Sequence, residues 1–330
     1  MRVHARLSFV AAVLCVGLAT FAILPPIAEG ARAYTETQDS RGWHLFLRPA
    51  RSNPSAQLAF AQDLEQTGRL RAAARQYRAL VAFWPQASEA ATAQTAYAGI
   101  LERRGRIMRA FQAYQVLFER YVGEFPYETI HERQFQIARS VMDQRRGRFW
   151  FFPGFTAPER AVPLLETVYS NGLESARAPQ AQYLVGRAYE LSLQIEPALQ
   201  AYETTITMYP DHPYALRAEL ARARCLHQLA REAPSDQLQL DEAWAAITVF
   251  LNEHPKSEFE EEAQKIRSDL YQRRAQAAYR VALYYDAIER RPQAALRAYQ
   301  QFVKLFPDTP WTQTAADRIA VLSRDSGVQP

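Results

Sequence analysis

From residue 54 onward the chain repeats one spacing, and that spacing restricts it to a narrow range of folds. The clearest copy runs from Ala181 to Pro210, AQYLVGRAYELSLQIEPALQAYETTITMYP. Gly186 precedes Ala198 by twelve residues, Tyr202 follows Ala198 by four, and Pro210 follows it by twelve. Small residues at this spacing let two consecutive helices cross closely, and the tyrosine fills the space one turn on. The proline ends the second helix, because it lacks an N–H and restricts the residue before it. The frame returns at Ala73, Tyr77 and Pro85, with Gly68 in the turn, and at Ala110 and Tyr114, with Gly105 in the turn. It returns again at Ala161 and Leu165, at Ala243, Ile247 and Pro255, and at Ala295, Tyr299 and Pro307. The marker alanines are 37, 51, 37, 45 and 52 residues apart, which gives a unit of 34–37 residues carrying three insertions. An aromatic or histidine precedes proline at five expected helix ends: Trp84-Pro85, Phe125-Pro126, Tyr209-Pro210, His254-Pro255 and Phe306-Pro307.

This is the spacing of the tetratricopeptide repeat (TPR). It predicts an all-α fold, a TPR α-solenoid of about six helix pairs with a C-terminal capping helix. Helix starts follow the same phase. Asn53-Pro54 supplies an N-cap and a proline at the first helical position. Thr156 with Glu159, and Ser257 with Glu260, have the spacing of capping boxes. Thr309-Pro310 opens a last helix that ends near Ser323 and covers the final repeat. No stretch alternates as a strand would. The expected divisions are residues 1–33 as a signal peptide, 34–54 as an arm or linker, 55–155 as N-terminal repeats, 156–323 as the later repeats, and 324–330 as a frayed tail.

The leader reading rests on Arg2, His4 and Arg6, then an uncharged run from Leu7 to Ala28, then Ala31-Arg32-Ala33. This predicts cleavage after Ala33 and export, with an uncleaved anchor as the alternative. Cys15 sits inside the apolar run behind Val13-Leu14, which does not have the form of a lipidation motif. Only Cys225 remains beyond the leader, so neither a disulfide nor a cysteine metal site is available there. Cys225 itself reads as a small buried hydrophobe. The 330-residue chain carries a net charge of +4, and residues 34–330 carry 36 basic against 34 acidic groups. A balance this mild gives no footprint for nucleic acid.

The signals of catalysis are missing. The five histidines beyond the leader, at 44, 131, 212, 227 and 254, lack metal-ligand spacing. No nucleophile elbow, phosphate loop or dinucleotide fingerprint occurs. His254 before Pro255 reads as a partner for helix-end carbonyls, and the acidic run 258–262 as a helix start favoured by the macrodipole. The reading is a non-enzyme with no cofactor and no metal; a hydrolase built from facing carboxylates is the rival.

A TPR array presents the first helix of each pair on its concave face. Gln180, Tyr183, Arg187 and Glu190 are expected there in one repeat, and Thr95, Glu102 and Arg103 in another. That mixture suits a peptide or a partner helix, though a solvated helix face has the same composition. Arg145 to Phe155, RRGRFWFFPGF, places five aromatics and three arginines in eleven residues. Trp150 and Phe152 in it are candidate anchors for a protein partner or a membrane surface. Folding back into a groove between repeats is the other reading.

From about Thr156 to residue 322 the chain resembles the BamD (YfiO-type) family of outer-membrane β-barrel assembly factors. Three stretches carry the resemblance. One is YETTITMYPDHPYALRAELARARCLHQLA. The next is SDQLQLDEAWAAITVFLNEHPKSEFEEEAQKI, with Asp236-Gln237 before a helix that ends at Pro255-Lys256-Ser257-Glu258. The third is RRAQAAYRVALYYDAIERRPQAALRAYQQFVKLFPDTPW, in which Val281-Ala282-Leu283-Tyr284-Tyr285 resembles the family's long late helix. The resemblance implies a periplasmic scaffold that works with a barrel-inserting protein and its POTRA domains and helps recruit unfolded outer-membrane proteins. Arg273 resembles a basic position of the long helix, on the side where the family meets its POTRA partner. Peripheral attachment to the outer membrane would run through a partner or an uncleaved leader. The alternative function is a general periplasmic TPR adaptor in envelope synthesis, export or division.

Overall fold

A computed structural model describes residues 47–146 and 155–325. The leader, residues 34–46 of the arm, Trp150, Phe152 and the last five residues lie outside the described residues. Thirteen α-helices follow one another among the described residues. They are α1 (Pro54–Gln66), α2 (Leu70–Phe83), α3 (Glu89–Arg103), α4 (Ile107–Arg120), α5 (Tyr127–Asp143), α6 (Val162–Asn171) and α7 (Ala178–Leu191). After them come α8 (Ile195–Met208), α9 (Pro213–Glu232), α10 (Gln237–Glu253), α11 (Glu260–Leu283), α12 (Pro292–Leu305) and α13 (Thr312–Asp325). Six sequential antiparallel pairs and a final helix make an all-α TPR solenoid. The odd-numbered helices are the A helices of the pairs and the even-numbered ones the B helices.

The repeated alanines explain the pairing. Ala73, Ala110, Ala161, Ala198, Ala243 and Ala295 are all 0% exposed. Each places a bare methyl where helix B crosses helix A, so the backbones approach closely. One turn on, Tyr77, Tyr114, Leu165, Tyr202, Ile247 and Tyr299 are all buried. Gly186 shows how tight the crossing becomes, because a Cβ there would lie 2.6 Å from the Tyr202 ring.

The helix ends follow local chemistry. Asn53 Oδ1 accepts from the Ala56 N–H at 2.8 Å and caps α1. Asp236 accepts from the N–H groups of Leu238 and Gln239 and caps α10. Trp84, Tyr209, His254 and Phe306 close α2, α8, α10 and α12 in an extended-leaning conformation that a following proline favours. Phe125-Pro126 behaves differently: α4 already ends at Arg120, and Pro126 stands at the start of α5.

Three local expectations are corrected. Thr156 does not cap a helix. It belongs to a two-residue antiparallel pairing of Arg145–Arg146 with Phe155–Thr156, which closes the base of the insertion between α5 and α6. A short 3-10 turn (Pro158–Ala161) then leads into α6. Ser257 does not cap α11 either. Its N–H bonds the His254 carbonyl and its own carbonyl accepts from Glu260, so the chain makes a turn there, and Phe259 precedes the helix. The last helix begins at Thr312, after Thr312 Oγ1 has donated to the Phe306 carbonyl at 2.8 Å.

Candidate functional site

In four pairs an acid at the end of helix A, or just beyond it, meets the tyrosine of helix B: Glu65, Glu102, Glu190 and Asp286. A carboxylate at a helix C-terminus faces the negative end of the macrodipole and needs donors close by. The buried tyrosine of the same pair is one donor. Tyr77, Tyr114, Tyr202 and Tyr299 reach these acids at 2.7, 2.9, 2.5 and 3.3 Å. An arginine from the next A helix is the second donor. Arg103 pairs with Glu65, Arg133 with Glu102 at 3.2 Å, Arg224 with Glu190 at 2.7 Å, and Arg318 with Asp286 at 2.6 Å. Each bracket therefore ties a helix pair to its successor.

The acid precedes its tyrosine by twelve residues in the first three brackets and by thirteen in the last. The extra residue is taken up by a π turn over Tyr284–Ile288 that continues α11. The turn between helices also needs one residue in the left-handed region. Glycine fills it at Gly68 and Gly105, whereas Leu193 and Arg290 adopt it at φ 58° and 53°. Such positions strain ordinary side chains, so the bracket geometry is kept at a local cost.

Glu190 has the densest surroundings. Arg187 Nη1 donates to it at 3.0 Å, Arg224 grips both of its oxygens, and Tyr202 donates a fourth bond. Burial raises the Glu190 carboxyl, but the bonds from Arg224 and Tyr202 outweigh this and hold it below the usual range. The Arg318 guanidinium likewise holds Asp286 low. Burial, with Asp286 beside it, pushes Tyr299 up to about 12. Cys225 is 1% exposed, and burial pushes its thiol up to about 12, so it stays protonated and inert.

Around Glu190 the A helices α7, α9 and α11 form one polar face. Arg224 also reaches Glu262 of α11 at 3.1 Å. His227 of α9 meets Asp269 of α11 at 2.7 Å, and Arg273 donates to the same carboxylate at 2.6 Å. Burial raises the Asp269 carboxyl, yet the bonds from His227 and Arg273 bring it below its ordinary value. Tyr183 lies 5.7 Å from the ring of Tyr202 and 5.4 Å from that of Tyr214. The Arg217 guanidinium sits 5.4 Å over Tyr214.

Tyr183, Arg187 and Glu190 thus lie together as the sequence places them, and Arg273 joins the same face through Asp269. Gln180 bonds Arg177, which bridges to Glu132 of α5. Arg103, Glu102 and Thr95 lie apart on α3. Sequence reasoning missed Arg224, Tyr214, Arg217, His227 and Asp269. The available signal was the 34-residue step from Glu190 to Arg224, one repeat length, which resembles the 38-residue step from Glu65 to Arg103. The four histidines among the described residues have structural partners. His131 Nε2 meets the Val168 carbonyl, His212 Nδ1 accepts from the Tyr214 N–H, and His254 Nε2 bonds Glu219 rather than helix-end carbonyls. Glu219, Glu253 and His254 are close enough together to hold a cation, but the bond between His254 and Glu219 accounts for that closeness without one.

No described helix is long and apolar enough to cross a membrane. No curated protein matches the chain. Among solved structures, the C-terminal part of a TPR protein from Cytophaga hutchinsonii is 17% identical with a TM-score of 0.33, covering 82% of this chain and 89% of that one. A TPR protein from Parabacteroides merdae is 13% identical with a TM-score of 0.31, covering 82% and 98%. A thermophilic TPR protein from Thermus thermophilus is 19% identical with a TM-score of 0.26, covering 66% and 98%. The fold assignment rests on the helix pairing above and not on these likenesses. The YfiO family model, described as outer membrane lipoprotein, matches residues 157–326, from the 3-10 turn before α6 to just beyond α13 and over half of the chain. With α6 to α13 and the Asp236 cap lying within that span, the chain belongs to the YfiO family of outer membrane lipoproteins.

Proposed function

We propose that this protein is a non-catalytic scaffold of outer-membrane protein assembly, acting from the periplasm at the outer membrane after export and cleavage behind Ala33. Its A-helix face over α7, α9 and α11 docks other polypeptides: a barrel-assembly partner bearing POTRA domains, and segments of unfolded outer-membrane proteins. The observation that supports this most is the linked chain Arg187–Glu190–Arg224–Glu262 with its neighbour His227–Asp269–Arg273. It fixes the side chains of three successive A helices before any partner arrives. Prior fixing lowers the ordering cost of binding, and tyrosine and arginine are the residue types on which interface energy concentrates.

Within this face Tyr183, Arg187 and Arg273, all half-buried, are the groups we assign to partner contact. Glu190 acts by holding the arginines in place. Arg103, Trp150 and Phe152 are further partner positions in the N-terminal half. The test is recovery of partners in mild detergent from cells carrying Arg273→Glu, with circular dichroism to show intact helices. We expect the POTRA-bearing partner to be lost. Unchanged recovery removes Arg273 from the interface. Recovery of an envelope synthase or secretion subunit instead, from the unaltered protein, overturns the assembly role in favour of a general envelope adaptor.

A further inference from the structure

A second surface lies away from the A-helix face. Between the B helices α8 and α10, above α9, runs a groove of about 730 Å³. Leu199, Ile206, Val249 and Phe250 contribute apolar surface to it, and Val249 is 51% exposed. Both walls are helix faces at helical spacing. Leu199, Glu203 and Ile206 follow one stripe of α8, and Glu242, Ala246, Val249 and Glu253 follow one stripe of α10. From Glu242 to Glu253 the wall extends about 16 Å, or three helical turns.

The charges in this groove are one-sided. Glu203, Glu219, Glu242 and Glu253 line it against a single cation, Arg222, and Arg222 is already paired with Glu203 at 3.1 Å. Glu219 bonds His254. Glu242 and Glu253 are exposed, and neither makes an ion pair among the described residues. Four carboxylates around an apolar strip stand out on a chain whose overall charge is +4. An apolar strip flanked by acids is complementary to an amphipathic helix with an apolar stripe flanked by Lys or Arg.

We propose that this groove docks a basic amphipathic helix of about three turns from a partner protein. The apolar stripe of that helix seats on Val249, Leu199 and Ile206, and its flanking cations meet Glu242 and Glu253. The assignment does not depend on the A-helix face or on the assembly role, since it rests on different helices and different residues.

The test uses the full chain and a labelled 14-residue Leu/Lys peptide with leucines at helical spacing, read by fluorescence anisotropy. A Leu/Glu peptide of the same apolar pattern serves as counterpart. We expect the Lys peptide to bind and the Glu peptide not to. Glu242→Lys with Glu253→Lys should weaken binding at least tenfold, and Val249→Asp should do the same. All three positions are exposed, so the helices should form as before. Glu260→Lys with Glu261→Lys, on the separate acidic start of α11, should leave binding unchanged. Equal binding of both peptides, no effect of the groove variants, or a loss caused by the α11 variant would each overturn the proposal. So would a concentration-dependent dimer that Val249→Asp dissolves, because the groove would then hold a second copy of this chain.

Discussion

The pairs α1–α2, α3–α4, α7–α8 and α11–α12 are closed by a tyrosine, an acid and an arginine, whereas α5–α6 and α9–α10 carry Leu165 and Ile247 in the tyrosine position. The difference follows the turn between the two helices. In the bracketed pairs the acid stands twelve or thirteen residues before the tyrosine of helix B and accepts from its hydroxyl. In α5–α6 an insertion separates the helices, and in α9–α10 a long α9 is followed by the Ala233–Asp236 linker. Neither pair carries an acid twelve or thirteen residues before its Leu165 or Ile247, and an unpartnered buried hydroxyl there would be costly. An aliphatic side chain avoids that cost.

The aliphatic pairs move their polar ties elsewhere. Around α5 a side-chain amide network forms, in which Asn171 donates to Gln115 at 2.7 Å and to Gln134 at 2.9 Å. Tyr127 adds a bond to the Asn171 carbonyl at 2.8 Å. Around α9 the ties are His227 to Asp269 and Arg274 to Asp241 at 3.2 Å, with Arg274 also 4.9 Å over the Trp244 ring. A polar link between successive repeats is therefore present in both classes, and the tyrosine is the interchangeable part.

The largest effect should come from the aliphatic class. Ile247 is 0% exposed, and Ile247→Ala leaves a cavity worth about 3 kcal/mol. Urea unfolding should show the midpoint fall accordingly. A cost below that of Tyr202→Phe, which removes one hydrogen bond worth about 1 kcal/mol, would break the distinction drawn here.

Next comes Arg224→Ala, which takes the bidentate donor from a carboxylate whose side chain is 11% exposed. The expected loss is about 2 kcal/mol. Arg274→Ala, its counterpart in the aliphatic class, should cost less than about 1 kcal/mol because both partners are substantially exposed. Equal costs in urea would show that the bracket adds nothing beyond an ordinary surface pair.

The smallest effect is in the acid limb. The Glu190 carboxyl is held below its ordinary value of 4.5 in the folded chain. Its contribution is fully present above 4.5 and is lost as the pH falls through the lower folded value, because the unfolded chain takes up the proton first. Glu190→Gln should therefore flatten the fall in thermal midpoint below pH 4.5. An unchanged acid limb would mean that this carboxyl is not held low by its arginine and tyrosine.

Much of the fold was legible because its signals are local. A small residue at each crossing and a proline after most B helices act within a few turns, and the six alanines at those crossings are all fully buried. The capping boxes at Thr156 and Ser257 were misleading for the same reason. The four-residue pattern is present, but in each case the chain spends its backbone bonds on a turn or a strand pair before the helix starts. On the candidate face, Tyr183, Arg187 and Glu190 were legible as neighbours on one helix. Arg224 was not, because its pairing with Glu190 depends on how α9 lies against α7.

The amino-acid sequence determined the repeat, its helix pairs and its family, since each rests on spacing along the chain and helical periodicity converts spacing directly into a face. The tertiary structure alone decided which arginine serves which acid, where Leu and Ile replace the tyrosine, and that four glutamates from three helices line one groove. Those outcomes depend on side chains up to 54 residues apart, from Leu199 to Glu253, and their meeting is fixed by the rotation of each helix against the next.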